Sequence, residues 1–418
     1  MRAPTFPRAA LAAVVLATLA LAACADVPPF RCESDEQCGV GGRCEDSGAC
    51  SFLDDRCHAE RRYGSEGPTA VADSCVGDAS GPLAWLTAGS DFGCARADDG
   101  RLWCWGDNTS GALGRDDVGK SGTPAPVDGL TDVTDADGGE FTACAVAGGT
   151  VYCWGRGSGG QLGDDTTTDR SRPAPVMDVT AAVAVELGEH HGCALDDTGA
   201  VACWGSNDDG ETGAPGEAMM KRPRRVNQLP PATAIAVGGQ VSCALAGGAT
   251  YCWGRNTHGQ LGVGDMAKHN KPELAAAWAG ATAIAVGGDH TCALMLDGTV
   301  RCAGANDFGQ LGDGTTTDRA TPVTVPGVTG VVEIVALDWT TCARDTAGAV
   351  RCWGRGDAGQ LSGELGRPAI ALSAGESHAC AMTEDGCAWC WGSDEKEQLG
   401  DGRGGVATGA RPVMLSCW

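Results

Sequence analysis

Aromatic and basic residues are scarce in this 418-residue sequence. Aromatics make up 5%, with three Tyr and six Phe, and 30 Lys+Arg stand against 54 Asp+Glu, for a net charge of -24. A field of that sign repels phosphate backbones, so nucleic acid is not expected as a partner. Only 20% of residues are charged while Gly numbers 65, which argues for many tight turns and against a disordered acidic chain or long helices. The 3.6-residue apolar period that a helical solenoid needs is missing. Beyond the first residues, no apolar stretch is long enough to span a bilayer. No catalytic constellation stands out, so the expectation is a protein that is not an enzyme, with no cofactor and no metal.

Cysteine is abundant instead: 23 residues, which imply an oxidising compartment. Arg2 and Arg8 precede an apolar run from Ala9 to Ala23, short and early as in a signal peptide. The run ends in Leu21-Ala22-Ala23-Cys24, which resembles the bacterial lipobox, in which cleavage precedes a Cys that is then acylated. An ordinary signal cleaved at an A-x-A site, with Cys24 as a disulfide partner, is the alternative. Setting Cys24 aside leaves 22 cysteines, an even number that favours lipidation. The expected location is the bacterial cell envelope, with the chain held at the membrane by lipid alone.

The tripeptide Cys-Trp-Gly begins at Cys104, Cys153, Cys203, Cys252, Cys352 and Cys390, and Cys302-Ala303-Gly304 fills the one gap; successive offsets are 49, 50, 49, 50, 50 and 38. Each has an upstream partner nine or ten residues away, giving Cys94–Cys104, Cys144–Cys153, Cys193–Cys203, Cys243–Cys252, Cys292–Cys302, Cys342–Cys352 and Cys380–Cys390. Where the separation is nine, the midpoint is Gly148-Gly149 or Gly247-Gly248, a two-residue hairpin turn. Where it is ten, a three-residue loop ends in Gly100, Gly199, Gly298, Gly348 or Gly386, a turn with a glycine bulge. Both lengths set the two cysteines opposite each other on paired strands, with Cα atoms about 4.5–5.5 Å apart and within disulfide reach. An apolar stretch such as Val331–Ala336 precedes each hairpin, and a glycine-rich turn and a Pro-headed segment such as Pro322–Val325 follow it. Four short strands in about 50 residues, seven times over, predict a β-propeller.

Units such as Ala285–Leu294, Asp297–Cys302 and Asn306–Gly314 closely resemble the regulator-of-chromosome-condensation repeat, in a Cys-rich form similar to secreted bacterial members. The resemblance implies an all-β seven-bladed β-propeller, to which the N-terminal cysteines add a small disulfide-rich module. The expected layout is a lipoprotein-type signal peptide over 1–23, a Cys-rich module and linker over 24–80, and the propeller over 81–418. Departures are local: Ala303 for Trp, Leu337 for Gly, Glu397 for Gly, and a short link between units six and seven.

The module carries Cys32, Cys38, Cys44, Cys50, Cys57 and Cys75, too few residues for an apolar core and enough for three disulfides, whose connectivity stays open among fifteen possibilities. Its x5 spacing does not suit a zinc knuckle. Cys387 and Cys417 remain, and a bond between them that ties down the C-terminus is plausible; Cys387-Ala388-Trp389-Cys390 matches C-x-x-C only formally, because Cys390 has its repeat partner. His191, His290 and His378 share one repeat slot, filled elsewhere by Phe92, Thr142, Val241 and Thr340, which suits packing between blades better than metal ligation. Asp164–Asp169 and Asp313–Asp318 read as structural turns, lacking an EF-hand's Gly placement and terminal Glu. Trp278, Trp339 and Trp418 fall outside the repeated Trp slot and are candidates for exposed anchors. Met219–Arg225 is one basic island, read as a solvated loop or as a contact for an acidic partner.

The expected function is a non-catalytic scaffold, monomeric, that binds a protein partner at the envelope. Alternatives are an inhibitor of a secreted enzyme acting through the propeller face, and a hydrolase or lyase sited in the central channel. The last would need two carboxylates or a His–carboxylate pair converging there, and the aligned repeats show no repeat-breaking set of that kind.

Overall fold

The computed structural model describes residues 42–44, 50–53, 61–63, 83–116, 119–357 and 365–415. Cys24, Cys32, Cys38, Cys57, Cys75, Cys417 and Trp418 lie outside them, so the lipid site, most of the Cys-rich module and the Cys387–Cys417 bond have no structural account. Of the module, Gly42–Cys44, Cys50–Leu53 and Arg61–Tyr63 form a small antiparallel sheet whose register sets Cys44 opposite Cys50.

Seven antiparallel sheets follow. Their innermost strands are Leu83–Ala88, Val133–Gly138, Ala182–Leu187, Ala232–Gly238, Ala281–Val286, Val331–Ala336 and Ala369–Ala374, which begin blades 1 to 7 in turn. Each blade adds a second and a third strand as a hairpin and then an outer fourth strand; in blade 6, three strands fall within the described residues. The outer strands carry a proline in their span, among them Pro124, Pro173, Pro223, Pro272, Pro322 and Pro412. A proline there removes a donor from an otherwise open edge and discourages pairing with another chain. The basic segment Met219–Arg225 is such an outer strand and not a loop, paired with Val201–Ser206.

The hairpins follow the turn chemistry. Gly148 and Gly149 both have positive φ (57° and 76°), and every paired cysteine faces its partner in register. The seven pairs are joined as disulfides, with Cα atoms 4.1 Å apart, somewhat closer than the spacing of unlinked strands suggests. The Gly of Cys-Trp-Gly sits where the pairing to the outer strand slips. Gly254, for example, has φ 107°, and a Cβ there would run into the carbonyl of Gln240.

The core is not one mass but a series of seams between blades. Cys193, Leu195, Val201 and Cys203 of blade 3 bury against Ile235, Val237, Ala244 and Trp253 of blade 4, and the same face-to-face arrangement recurs around the ring. A tryptophan locks each seam: Trp154, Trp204, Trp253 and Trp353 donate Nε1–H to the carbonyls of Ala112, Gln161, Glu211 and Gln310 in the preceding blade, at 2.8–3.0 Å. Trp105 does the same to Gln398 of blade 7 at 2.9 Å, and Leu83–Ala88 packs on Ala369–Ala374 and His378–Thr383, which closes the ring.

Blade 5 has Ala303 where the repeat wants Trp. The seam is filled by Trp278, carried in by the short 3-10 turn Ala276–Trp278. Trp278 is 1% exposed, touches Ala293, Met295 and Ala303, and donates Nε1–H to Leu261 O at 2.9 Å. It is therefore not an exposed anchor. The small Ala303 side chain leaves the seam open, and an indole from upstream occupies it. A Cβ on Gly262 would lie 2.6 Å from Trp278 Nε1, as one on Gly213 would lie 2.8 Å from Trp253 Nε1, so the same glycine slot receives both rings.

Candidate functional site

The innermost strand of each blade turns into the second through a loop of two or three residues. Successive loops touch through their backbones: Ser90 N–H reaches Gly139 O at 3.1 Å, Glu189 N–H reaches Gly239 O at 3.1 Å, and Gly288 N–H reaches Asp338 O at 3.2 Å. A Cβ on Gly139 would lie 2.5 Å from Gly188 O, which is why glycine recurs at this point. The loops thus form a tight collar at one end of the ring.

Six of the seven loops bring a carboxylate to this collar: Asp91, Glu140, Glu189, Asp289, Asp338 and Glu376, from blades 1, 2, 3, 5, 6 and 7. Blade 4 offers Gln240, whose Nε2–H donates to Glu189 Oε2 at 3.3 Å. Burial raises the Asp91, Glu140 and Glu376 carboxyls above their ordinary range. Glu376 is raised further by the negative field of Asp91, Glu140 and Glu189. Burial, followed by the charges of Glu376, Glu189 and Asp289, pushes Asp338 up to about 7. These carboxylates feel one another across the collar, so they form one electrostatic unit.

Donors and one guanidinium lie against this charge. His190 Nδ1 lies 3.4 Å from Glu140 Oε2, and Arg255 Nη1 lies 3.5 Å from Asp289 Oδ1. Gln260 Nε2–H donates to Asp289 at 3.0 Å and Gln398 Nε2–H to Asp91 at 3.3 Å. Arg156 lies over the Phe141 ring and Arg355 over the Phe308 ring, 5.4 and 5.2 Å from the centroids. Phe308 and Trp339 meet edge to face at 5.4 Å, so Trp339 is a half-buried member of the mouth.

Inside the ring, carboxylates on the innermost strands satisfy backbone donors of the next blade. Asp137 accepts from Thr87 Oγ1 at 2.9 Å and from Leu187 N at 2.9 Å, and Asp135 accepts from Val185 N at 2.8 Å. Glu333 accepts from Arg344 Nε at 2.7 Å and Leu372 N at 3.2 Å. These groups hold blades together.

The three repeat-slot histidines belong to the seams and are not brought together. His191 Nε2 pairs with Ser242 Oγ and His290 Nε2 with Thr341 Oγ1, each at 2.8 Å in the next blade. Burial lowers His191 to about 3 and His290 and His378 to about 4, so all three are neutral at pH 7. Among the described residues, no group of three or more His, Cys, Asp or Glu is placed to hold a metal. Asp164 and Asp313 are taken up in their own turns by Thr166 and Arg170, and by Thr315 and Arg319. On the basic outer strand, Arg222 pairs with Asp165 and Asp178. Cys387 is buried beside the blade 7 hairpin.

The carboxylates of the mouth are the feature that the aligned repeats conceal. Counted back from the first Cys of each unit, the acid stands three residues away in blades 1 and 5 and four away in blades 2, 3, 6 and 7. One alignment column therefore holds an acid in two blades and its neighbour in four, and neither is filled throughout. The expectation that no carboxylates converge at the channel is overturned, because a one-residue offset in a tight loop still delivers the side chain to the same collar.

A closed ring of seven antiparallel sheets with one acidic end defines this molecule as a seven-bladed β-propeller. It belongs to the regulator of chromosome condensation (RCC1) repeat family, whose repeat models match residues 86–112, 148–195, 182–211, 247–294, 281–310, 297–343 and 369–398. No curated protein matches it. Among solved structures it is similar to yeast RCC1 (Prp20) bound to Kap60, with TM-score 0.64 and 19% identity over 81% of this chain and 84% of that one. It is also similar to human WBSCR16 (TM-score 0.55, 21% identity, 80% and 82% covered) and to the ectodomain of the Physcomitrella patens receptor kinase CR4 (TM-score 0.51, 22% identity, 75% and 74% covered). At these identities the likeness establishes the fold. Propellers of this repeat commonly bind proteins.

Proposed function

We propose that the protein is a non-catalytic, monomeric binding scaffold that engages the basic surface of a protein partner through its acidic mouth. One observation carries this reading: six blades each place a carboxylate on the collar, where burial and mutual repulsion raise several of them. Such crowding opposes folding, and the seams need none of it, so a ligand that neutralises the mouth accounts for its presence. Relatives of the same fold support protein binding in general: yeast RCC1 (Prp20) was crystallised with Kap60, and Prp20p was studied for its binding to Gsp1p and histones. The Leu21-Ala22-Ala23-Cys24 sequence supports display at the bacterial envelope by a lipid on Cys24, and the seven cysteine pairs suit an oxidising compartment. Palmitate labelling that is lost in Cys24→Ser tests the anchor.

The test of the mouth is capture from envelope extracts by the wild-type propeller and by a Glu140→Gln/Glu189→Gln/Glu376→Gln variant. The expected outcome is a set of basic proteins retained by the wild type at low salt and lost with the variant. The same proteins retained by both would remove the reading. A second reading, a hydrolase or lyase, is favoured only by Asp338, which burial and the carboxylates around it hold near 7, as suits a proton-transferring acid.

A further inference from the structure

The mouth is not uniform. At the junction of blades 5 and 6, two repeat slots that are mostly small or polar elsewhere both hold large aromatic rings. The slot of Phe308 is Ser110, Gly159, Asp209, His258 and Lys396 in blades 1, 2, 3, 4 and 7. The slot of Trp339 is Asp91, Phe141, His190, Gln240, Asp289 and Ser377 in the other six. The two rings touch each other, Phe308 is 44% exposed, and the fold asks for neither.

A second observation lies beneath them. Gln260, Gln310 and Gln398 adopt one conformation, since each accepts on Oε1 from the backbone N–H two residues earlier, at 2.8–3.0 Å. In Gln260 and Gln398 this directs Nε2 at the carboxylate of the next blade's loop, Asp289 or Asp91. In Gln310 the same direction leads to the slot of Trp339, which offers no acceptor. Gln310 is 0% exposed, and its Nε2 has no hydrogen-bond partner among the described residues. A buried amide donor with no protein acceptor is costly unless a water or a ligand atom meets it, and this one lies beneath the two rings.

We infer that the blade 5–6 junction is the anchor point of the mouth, where a lysine or arginine side chain of an extended basic segment sits against Trp339 and Phe308 and between the carboxylates of Asp338 and Glu376. The inference rests on the reading of the mouth as a site for a basic partner. The chain's own Arg355 lies over Phe308 and is tied to Asp357 at 2.6 Å, so a guanidinium suits this ring, and the partner's cation joins or displaces it there. An aromatic face beside carboxylates is the environment that holds a partly desolvated cation. Aromatic anchors of this kind dominate protein interfaces. The Gln310 amide, without a partner among the described residues, is a donor open to a carbonyl of the same segment.

The experiment is fluorescence anisotropy with a labelled (Gly-Arg)4 peptide at low ionic strength, on the whole chain. Trp339→Ala and Phe308→Ala are each expected to weaken binding about tenfold, Trp339→Phe to restore most of the loss, and Phe141→Ala, on the opposite arc, to change it less than about twofold. Melting curves establish that each variant is folded, and both ring positions lie outside the seams. Equal losses in Trp339→Ala and Phe141→Ala, or none in Trp339→Ala, would overturn the anchor and leave the acidic mouth standing. A wild type that does not bind (Gly-Arg)4 would overturn both.

Discussion

Among the described residues, an indole N–H meets a carbonyl of the preceding blade at six seams, a disulfide faces the next sheet, and a histidine, where present, stays neutral. At the mouth, loops of the same repeat crowd like charges and leave a buried amide without an acceptor. The seam tolerates a change of address but not of chemistry: when Ala303 vacates the Trp slot, Trp278 arrives from a different element and makes an equivalent hydrogen bond. The mouth tolerates a change of identity, with Asp, Glu and Gln shared between two adjacent positions. The fold therefore dictates the seams, and the mouth retains interactions that oppose folding, as functional surfaces do.

Reduction of the disulfides strikes the seams hardest and leaves the charges of the mouth in place. Each bond closes a loop of nine or ten residues, worth at most roughly 2.7 kcal/mol in the chain-entropy model, and neighbouring bonds need not add. The expected outcome is a marked fall in Tm under strong reductant. A melting curve unchanged after thiol counting shows complete reduction would break the comparison at its root.

Truncating a single seam indole comes next. Trp253→Ala and Trp278→Ala are both expected to destabilise by about 3–5 kcal/mol, because each leaves a cavity and removes an indole-to-carbonyl hydrogen bond. Equality of the two is the point, since one Trp follows the repeat and the other does not. Trp278→Ala combined with Ala303→Trp restores the repeat's own arrangement and should recover part of the loss. Urea denaturation measures all three, and a Trp278→Ala cost below about 1 kcal/mol would show that the seam of blade 5 does not depend on the substitute ring.

How much of this was legible follows from where information is local. The hairpins were, because two loop lengths and their glycines already set each cysteine pair in register. The count of blades was legible for the same reason, and so was the packing role of His191, His290 and His378. Trp278 was not, because the partner of its indole depends on a vacancy 25 residues downstream that only the ring geometry brings alongside. The mouth was hidden for a different reason. Its carboxylates share a destination without sharing a position, and the orphaned Gln310 amide is visible only against Gln260 and Gln398, which have acceptors.

The smallest expected effect is one of pH, and it separates the two regions by sign. The seam histidines have folded-state values near 3 to 4 against about 6.5 when unfolded, so the stability they confer is complete above about pH 6.5 and is lost as pH falls toward 4. The mouth runs the other way. Asp338 is raised to about 7 from an unfolded value near 4, so its contribution is present below about pH 4 and is lost as pH rises through 7. Between these limits the two trends partly cancel in the wild type. Asp338→Asn removes the largest resolved shift at the mouth and should stabilise the protein at pH 8 by about 1–2 kcal/mol, after allowance for solvent screening of a half-buried group. The gain should vanish by pH 4, leaving a steeper loss on acidification than in the wild type. His378→Val, which copies the Val241 slot of blade 4, should flatten the acid limb by about one proton and leave the alkaline limb unchanged. Urea midpoints from pH 4 to 8 for the three proteins measure both slopes. An Asp338→Asn curve parallel to the wild type would mean that the mouth carboxylates do not share a field, and the contrast between seam and mouth would then rest on packing alone.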